Sequence, residues 1–201
     1  MTWIKTVPFE VATGRLRKLY ERVTGPGNNV DNIMMAHSLR PHSMEGHMAL
    51  YKNVLHHTGN SLPKWVLELL GVRVSHLNGC DYCVRHHAAG LRRLLADDAR
   101  ADAVIGAATG DGGFEGIVDA SIQQMLVYAE QLTSAAQDMD VADVEALRAV
   151  GLEDGQILEV NQVVAYFAYA NRTVLGLGVN TDGDVIGLSP GSDNPDEWGH
   201  H

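Results

Sequence analysis

Apolar side chains recur along most of this chain at intervals of three and four, the spacing that lines one face of an α-helix. Met44, Met48, Tyr51 and Leu55 form one such line in a helix opened by Pro41. Val66, Leu70, Val74 and Leu77 form another, in a helix capped by Ser61 with Pro63 in its first turn. The same pattern predicts helices over Gly14–Val23 behind Thr13, then over 30–38, Asp81–Leu95, 117–132, 141–150 and 154–176. Gly25-Pro26-Gly27 ends the first of these. Asn78-Gly79 ends the helix before Asp81, because both residues tolerate the left-handed conformation. Strand-type alternation is nearly absent. Only 178–187 offers a turn, at Asp182-Gly183, between two very short extended pieces. The GDGG run at 110–113 reads as a surface connector, and the polar tail from about 190 to 201 as loose. The expected fold is all-α, a multi-helix bundle forming a single domain over 1–201 with no internal repeat.

Composition narrows the function classes. Asp and Glu number 25 against 15 Lys and Arg, a formal net charge of −10 with no basic run. Nucleic acid and anionic membranes are therefore poor partners. Residues 1–9 lack the apolar stretch of a secretory signal, and no segment approaches the roughly 20 apolar residues of a membrane span. A cytoplasmic protein is expected. In that reducing compartment a cysteine pair is more often catalytic or metal-binding than structural.

The chemistry concentrates at Cys80-Asp81-Tyr82-Cys83-Val84-Arg85-His86-His87. A C-x-x-C pair at a helix start can close a disulfide after little movement. The unpaired N–H groups and the positive end of the helix dipole there favour thiolate, so Cys83 is expected to ionise below the free-cysteine range. His87 follows Cys83 by four residues and shares its helical face, where it can accept the thiol proton. His86 points about 100° away, given 3.6 residues per turn. Upstream, Glu68 on a partly apolar stripe has reason to hold an elevated pKa and relay protons. A helical hairpin about Asn78-Gly79 brings Glu68 alongside His87 and Cys83, with the C-x-x-C at the start of the second helix. A zinc site from Cys80, Cys83, His86 or His87, with Asp81 or Glu68, is the rival reading. His37, His42, His47, His56 and His57 read as surface or satisfied core histidines, with His47 a weak candidate to line a pocket. The 154–176 helix is apolar on several faces, which suggests burial in the core or between subunits.

Glu68, Cys80-x-x-Cys83 and His87 at these spacings resemble the active-site pattern of the alkylhydroperoxidase D-like proteins, within the carboxymuconolactone decarboxylase-like superfamily. The close similarity covers the motif core 62–95. Asn171-Arg172 and the 176–187 ending resemble the peroxidase-related branch. This resemblance implies an all-helical thiol peroxidase that reduces hydroperoxides. Cys83 would be the peroxidatic thiol, Cys80 the resolving thiol, and Glu68 with His87 the proton relay. It also implies a homotrimer or hexamer, no metal or flavin cofactor in catalysis, and an external dithiol reductant such as a lipoyl-bearing protein. The chain departs from the prototypes at Tyr82, where they carry a histidine. Two other readings stand beside it. One is a non-redox lyase of the decarboxylase type, acting on a small lactone or ring acid. The other is a zinc-stabilised interaction protein.

Overall fold

The computed structural model describes residues 2–25, 29–110 and 112–188. Among them are nine α-helices and no strand: α1 (Gly14–Val23), α2 (Asn32–Ala36), α3 (Pro41–Tyr51), α4 (Lys64–Leu77), α5 (Asp81–Leu95), α6 (Asp98–Ala108), α7 (Ala120–Ser134), α8 (Val141–Ala149) and α9 (Asp154–Leu177). Pro26, Gly27, Asp111 and the 190–201 tail lie outside the described residues. No helix among the described residues is long and apolar enough to cross a membrane.

Helix α4 is the axis of the bundle. An ordinary surface helix buries one stripe, but α4 buries Val66, Leu67, Leu69, Leu70, Val72 and Val74, which point in all directions around it. It packs against α5, α6, α7 and α9. Gly71 permits the close approach of α9, since a Cβ there would stand 2.2 Å from the Phe167 ring. One hydrophobic core runs from Ala12 to Ala170, and a smaller buried cluster of Ala36, Cys80, Tyr82, Cys83, Val174 and Val179 surrounds the thiols.

Several boundaries differ from the sequence reading. Ser61 does not cap α4. Its backbone N–H and hydroxyl both donate to Glu159 on α9, and Pro63 takes the N-cap position instead. The helix expected over 30–38 shortens to the five residues of α2. The helix opened by Pro41 stays α-helical only to Tyr51, then widens into one π-helical turn over Lys52–His56. The 117–132 segment begins its helix at Ala120, where the Asp119 carboxylate accepts from Ile122 N–H. Helix α6 was not expected at all. Its N-cap Asp97 accepts from Arg100 N–H, and it buries mainly alanines, which give a weak periodic signal.

Two helix ends set up the site. At the end of α4, Gly79 adopts a positive φ of 69°. Gly79 N–H donates to His76 O and Cys80 N–H to Ser75 O, the paired bonds of a Schellman cap. The end of α9 repeats the device at Gly178, where Val179 N–H donates to Val174 O. The chain then folds back across the molecule. Asn32 Nδ2 donates to Asn180 O at 2.8 Å and to Asp182 O at 2.9 Å, and Asp184 N–H closes a turn onto Thr181 O. The turn expected at Asp182-Gly183 is present, but the flanking pieces form no ladder among the described residues.

Candidate functional site

The α4–α5 hairpin assembles the four residues that the sequence singled out. Glu68 lies on α4 with its side chain 3% exposed, and His87 Nδ1 donates to Glu68 Oε2 at 2.6 Å. An imidazole that donates from Nδ1 has Nε2 left to exchange a proton on its other side. Phe167 on α9 braces the ring edge-on, with centroids 4.6 Å apart. Cys80 is the N-cap of α5 and Cys83 lies in its first turn. Both are buried free thiols, and they approach to 3.2 Å.

The electrostatics revise two expectations. Burial pushes Glu68 up, but the adjoining His87 charge and hydrogen bond outweigh it and hold the carboxyl below its ordinary value. The apolar stripe alone suggested the reverse. The thiols also split differently. Cys80 is drawn below the ordinary cysteine value, chiefly by the hydrogen bond from Cys83. Cys83 is pushed well above it by the same contact and by burial. Cys80 is therefore the more readily ionised of the two sulfurs, which lie 3.2 Å apart. Asn171, fully buried on α9, bonds to both thiols and Ser75 to Cys83, contacts that favour thiolate. Asn171 is itself held by Ser75 Oγ at 3.0 Å and Asn78 Nδ2 at 2.9 Å.

A second polar cluster, from distant parts of the chain, adjoins the thiols. Asp184, with its side chain 1% exposed, accepts from Tyr82 Oη at 2.7 Å and from Asn32 N–H at 3.0 Å. His86 Nε2 lies 3.4 Å from the same carboxylate, an ion-pair distance without hydrogen-bond geometry. The His86 ring rests on Tyr82, with centroids 4.6 Å apart. Asp31, immediately before α2, is pushed up to about 6, chiefly by burial and also by the Asp184 charge, against the pull of His86.

Glu68 and His87 of the first cluster and Asp31, Tyr82 and His86 of the second line one cavity. Cys83 lines it and Cys80 does not. Its other polar walls are Glu68, His87, Asp31, His86 and His47, closed by Tyr51 and Tyr166. Among the described residues no Lys or Arg lines it. His47 is a buried member of this lining. Burial and the adjacent His37 ring push it down to about 3, so it is neutral, and its Nδ1 has no hydrogen-bond partner. The zinc donors do not converge: among the described residues no three His, Cys, Asp or Glu side chains are placed to hold a metal ion. Asp81 turns outward to Arg85 at 2.9 Å.

Asp31, Asp184 and Ser75 were missed in the sequence, and His86 was ranked low. Asp31 and Asp184 carry no spacing signal toward the cysteines, because the residue before α2 and the backfolded 179–188 segment supply them from far along the chain.

Residues 41–123, from α3 into α7 and including all four singled-out residues, match the model of the carboxymuconolactone decarboxylase family. None of the curated proteins compared matches the chain. Among solved structures, the alkylhydroperoxidase AhpD core of a peroxidase-related protein from Ralstonia eutropha JMP134 superposes with a TM-score of 0.74 at 22% identity, over 89% of this chain and 91% of that one. A peroxidase-related protein from Silicibacter sp. TM1040 gives 0.66 at 26% identity, over 77% and 80%. The debrominase Bmp8, as a cysteine-to-alanine variant in complex with 2,3,4-tribromopyrrole, gives 0.63 at 15% identity, over 83% and 82%.

Proposed function

We propose that this chain, a member of the carboxymuconolactone decarboxylase-like superfamily, reduces hydroperoxides in the cytoplasm through a Cys80/Cys83 dithiol–disulfide cycle. The fold alone does not select the reaction, since a debrominase shares it. The observation that carries the reading is the placement of Cys83. It lines the cavity beside the His87–Glu68 pair, and the second thiol, which does not line it, lies 3.2 Å away.

The chemistry follows from that placement. His87 Nε2 takes the Cys83 proton, and the ionised Glu68 stabilises the resulting imidazolium. The Cys83 sulfur attacks the distal peroxide oxygen. The O–O bond breaks, Cys83 becomes a sulfenic acid, and the other oxygen leaves as an alkoxide that takes up a proton. Cys80, the more readily ionised thiol of the pair, then attacks the Cys83 sulfur. The Cys80 proton goes to solvent, the hydroxide expelled leaves as water with the proton held on His87, and a disulfide remains. An external dithiol, such as a lipoyl-bearing protein, returns the pair to thiols.

The chain works in this reading as a homotrimer or hexamer. Exposed Val127, Val141 and Leu158, on α7, α8 and α9, supply apolar surface for such an assembly. A monomer mass by light scattering at micromolar concentration, with activity kept, contradicts the assembly. The peroxidase reading is tested by anaerobic thiol counting after one equivalent of cumene hydroperoxide. The expected result is the loss of both thiols per chain with one equivalent of alcohol formed. Survival of both thiols contradicts the reading.

A further inference from the structure

Breaking the O–O bond of a peroxide calls for two proton movements: one off the attacking thiol and one onto the departing oxygen. The Glu68–His87 pair accounts for the first, and none of the residues singled out in the sequence accounts for the second. The cavity wall does contain a second set of groups. Asp31 lines the same cavity as Cys83, contributed from in front of α2 rather than from the α4–α5 hairpin. Asp184 and His86 adjoin it, and Asp184 is fixed in place by Tyr82 and by the Asn32 N–H.

We propose that Asp31 is the acid that protonates the departing peroxide oxygen, working across the cavity from the Glu68–His87 base, with Asp184 as the positioning residue that keeps its proton in place. This rests on the peroxidase reading above.

Three features of the cavity support the assignment. Two carboxyl groups close together and largely out of water cannot both carry charge cheaply, so one retains a proton. The Asp184 oxygens are already engaged, accepting from Tyr82 Oη and from the Asn32 N–H, with His86 Nε2 at 3.4 Å. Asp31, which lines the cavity with Cys83, is the carboxyl left to take up and give a proton near neutrality, and burial raises it to about 6. The cavity is also built to receive a ligand. His47 is 4% exposed and lines it with an Nδ1 that has no hydrogen-bond partner among the described residues.

Atoms and charge balance. Cys83–SH and ROOH give Cys83–SOH and ROH: the thiol proton moves to His87, the distal OH to sulfur, and the Asp31 proton to RO⁻. Asp31 is reprotonated from solvent. His87 keeps its proton until Cys80 displaces hydroxide from the sulfenic acid. The two polar walls therefore serve different steps, and the cavity needs both for peroxides that leave as strongly basic alkoxides.

The discriminating variable is the basicity of the leaving oxygen. A peracid leaves as a carboxylate, which needs no proton, whereas tert-butyl hydroperoxide leaves as an alkoxide, which does. Single-turnover oxidation of wild type and Asp31→Asn is compared with peracetic acid and with tert-butyl hydroperoxide. Asparagine keeps the shape and the acceptor toward Asn29, and far-UV circular dichroism verifies the fold. The expected result is a loss of about 100-fold with tert-butyl hydroperoxide, the lower end for a lost general acid, and of less than about threefold with peracetic acid. Equal losses with both peroxides, or none with either, overturn the assignment while leaving the peroxidase reading intact. If Asp31→Asn does not fold, the same comparison is made with Asp184→Asn, whose loss must again be confined to the alkyl hydroperoxide. A wild type that reduces neither peroxide faster than a free thiol overturns both readings together.

Discussion

The two histidine–carboxylate pairs beside the thiols have the same composition and opposite characters. Glu68 and His87 stand 19 residues apart on the facing helices of one hairpin and are joined by a 2.6 Å hydrogen bond. The other pair depends on Asp184, which reaches Tyr82 from 102 residues away on the backfolded segment and meets His86 only at 3.4 Å. Context reverses the proton balance as well. At Glu68 the interactions with His87 outweigh burial and hold the carboxyl below its ordinary value, whereas at Asp31 burial prevails over the pull of His86 and raises it to about 6, with the Asp184 charge adding to the rise. A buried carboxyl is thus lowered or raised according to whether its hydrogen-bonded partner or its burial prevails.

The largest effect expected from breaking this asymmetry is on the base side. Glu68→Gln removes the anion that stabilises imidazolium, so peroxide reduction should slow by about 100-fold. The loss should be the same for peracids and alkyl hydroperoxides, because the thiol proton must move in either case. Stopped-flow oxidation rates for the two peroxides check this. A loss confined to alkyl hydroperoxides would place Glu68 on the leaving-group side and dissolve the contrast.

The two acids should also pull stability in opposite directions. Asp31 holds its proton to about 6 in the folded chain and to about 3.8 when unfolded. The native state therefore binds more protons between those values, and stability falls as pH rises through them. Asp31→Asn removes that penalty. It should raise the unfolding free energy at pH 7 by roughly 1–3 kcal/mol, with no gain near pH 3. Glu68 works the other way. Its folded pKa is depressed, so its contribution is present above its ordinary value of 4.5 and disappears as pH falls through the lower folded value. Urea unfolding of both variants at pH 7 and pH 3 separates the signs. An Asp31→Asn protein less stable than wild type at pH 7 would deny that the carboxyl is strained there.

The same contrast explains what could be read from the sequence. The Glu68–His87–Cys83 cluster was legible because one turn signal, Asn78-Gly79, folds two strongly periodic helices onto each other. The Asp31–His86–Asp184 cluster was not, because no spacing rule links residue 31 or 184 to residue 83. Environment was harder to read than position. Glu68 appeared on an apolar stripe, and its partner came from the next helix. Cys83 was assigned the benefit of a helix terminus, and the adjacent Cys80 reversed it. In the fold, the strongly amphipathic segments were placed to within a few residues. Helix α6 escaped because alanines make most of its buried face. Ser61 was taken for a cap because no local pattern shows that Glu159, 98 residues on, would claim its donors.

The central claim is that Cys83, not its more easily ionised neighbour, is the sulfur that substrate oxidises. The most direct test treats Cys80→Ser and Cys83→Ser proteins with one equivalent of cumene hydroperoxide in the presence of dimedone, which traps sulfenic acid, and maps the adduct by mass spectrometry. The account predicts rapid, near-stoichiometric trapping at Cys83 in the Cys80→Ser protein. In the Cys83→Ser protein, where Cys80 lies outside the cavity, it predicts no trapping beyond the free-thiol rate. Preferential trapping at Cys80 would contradict it.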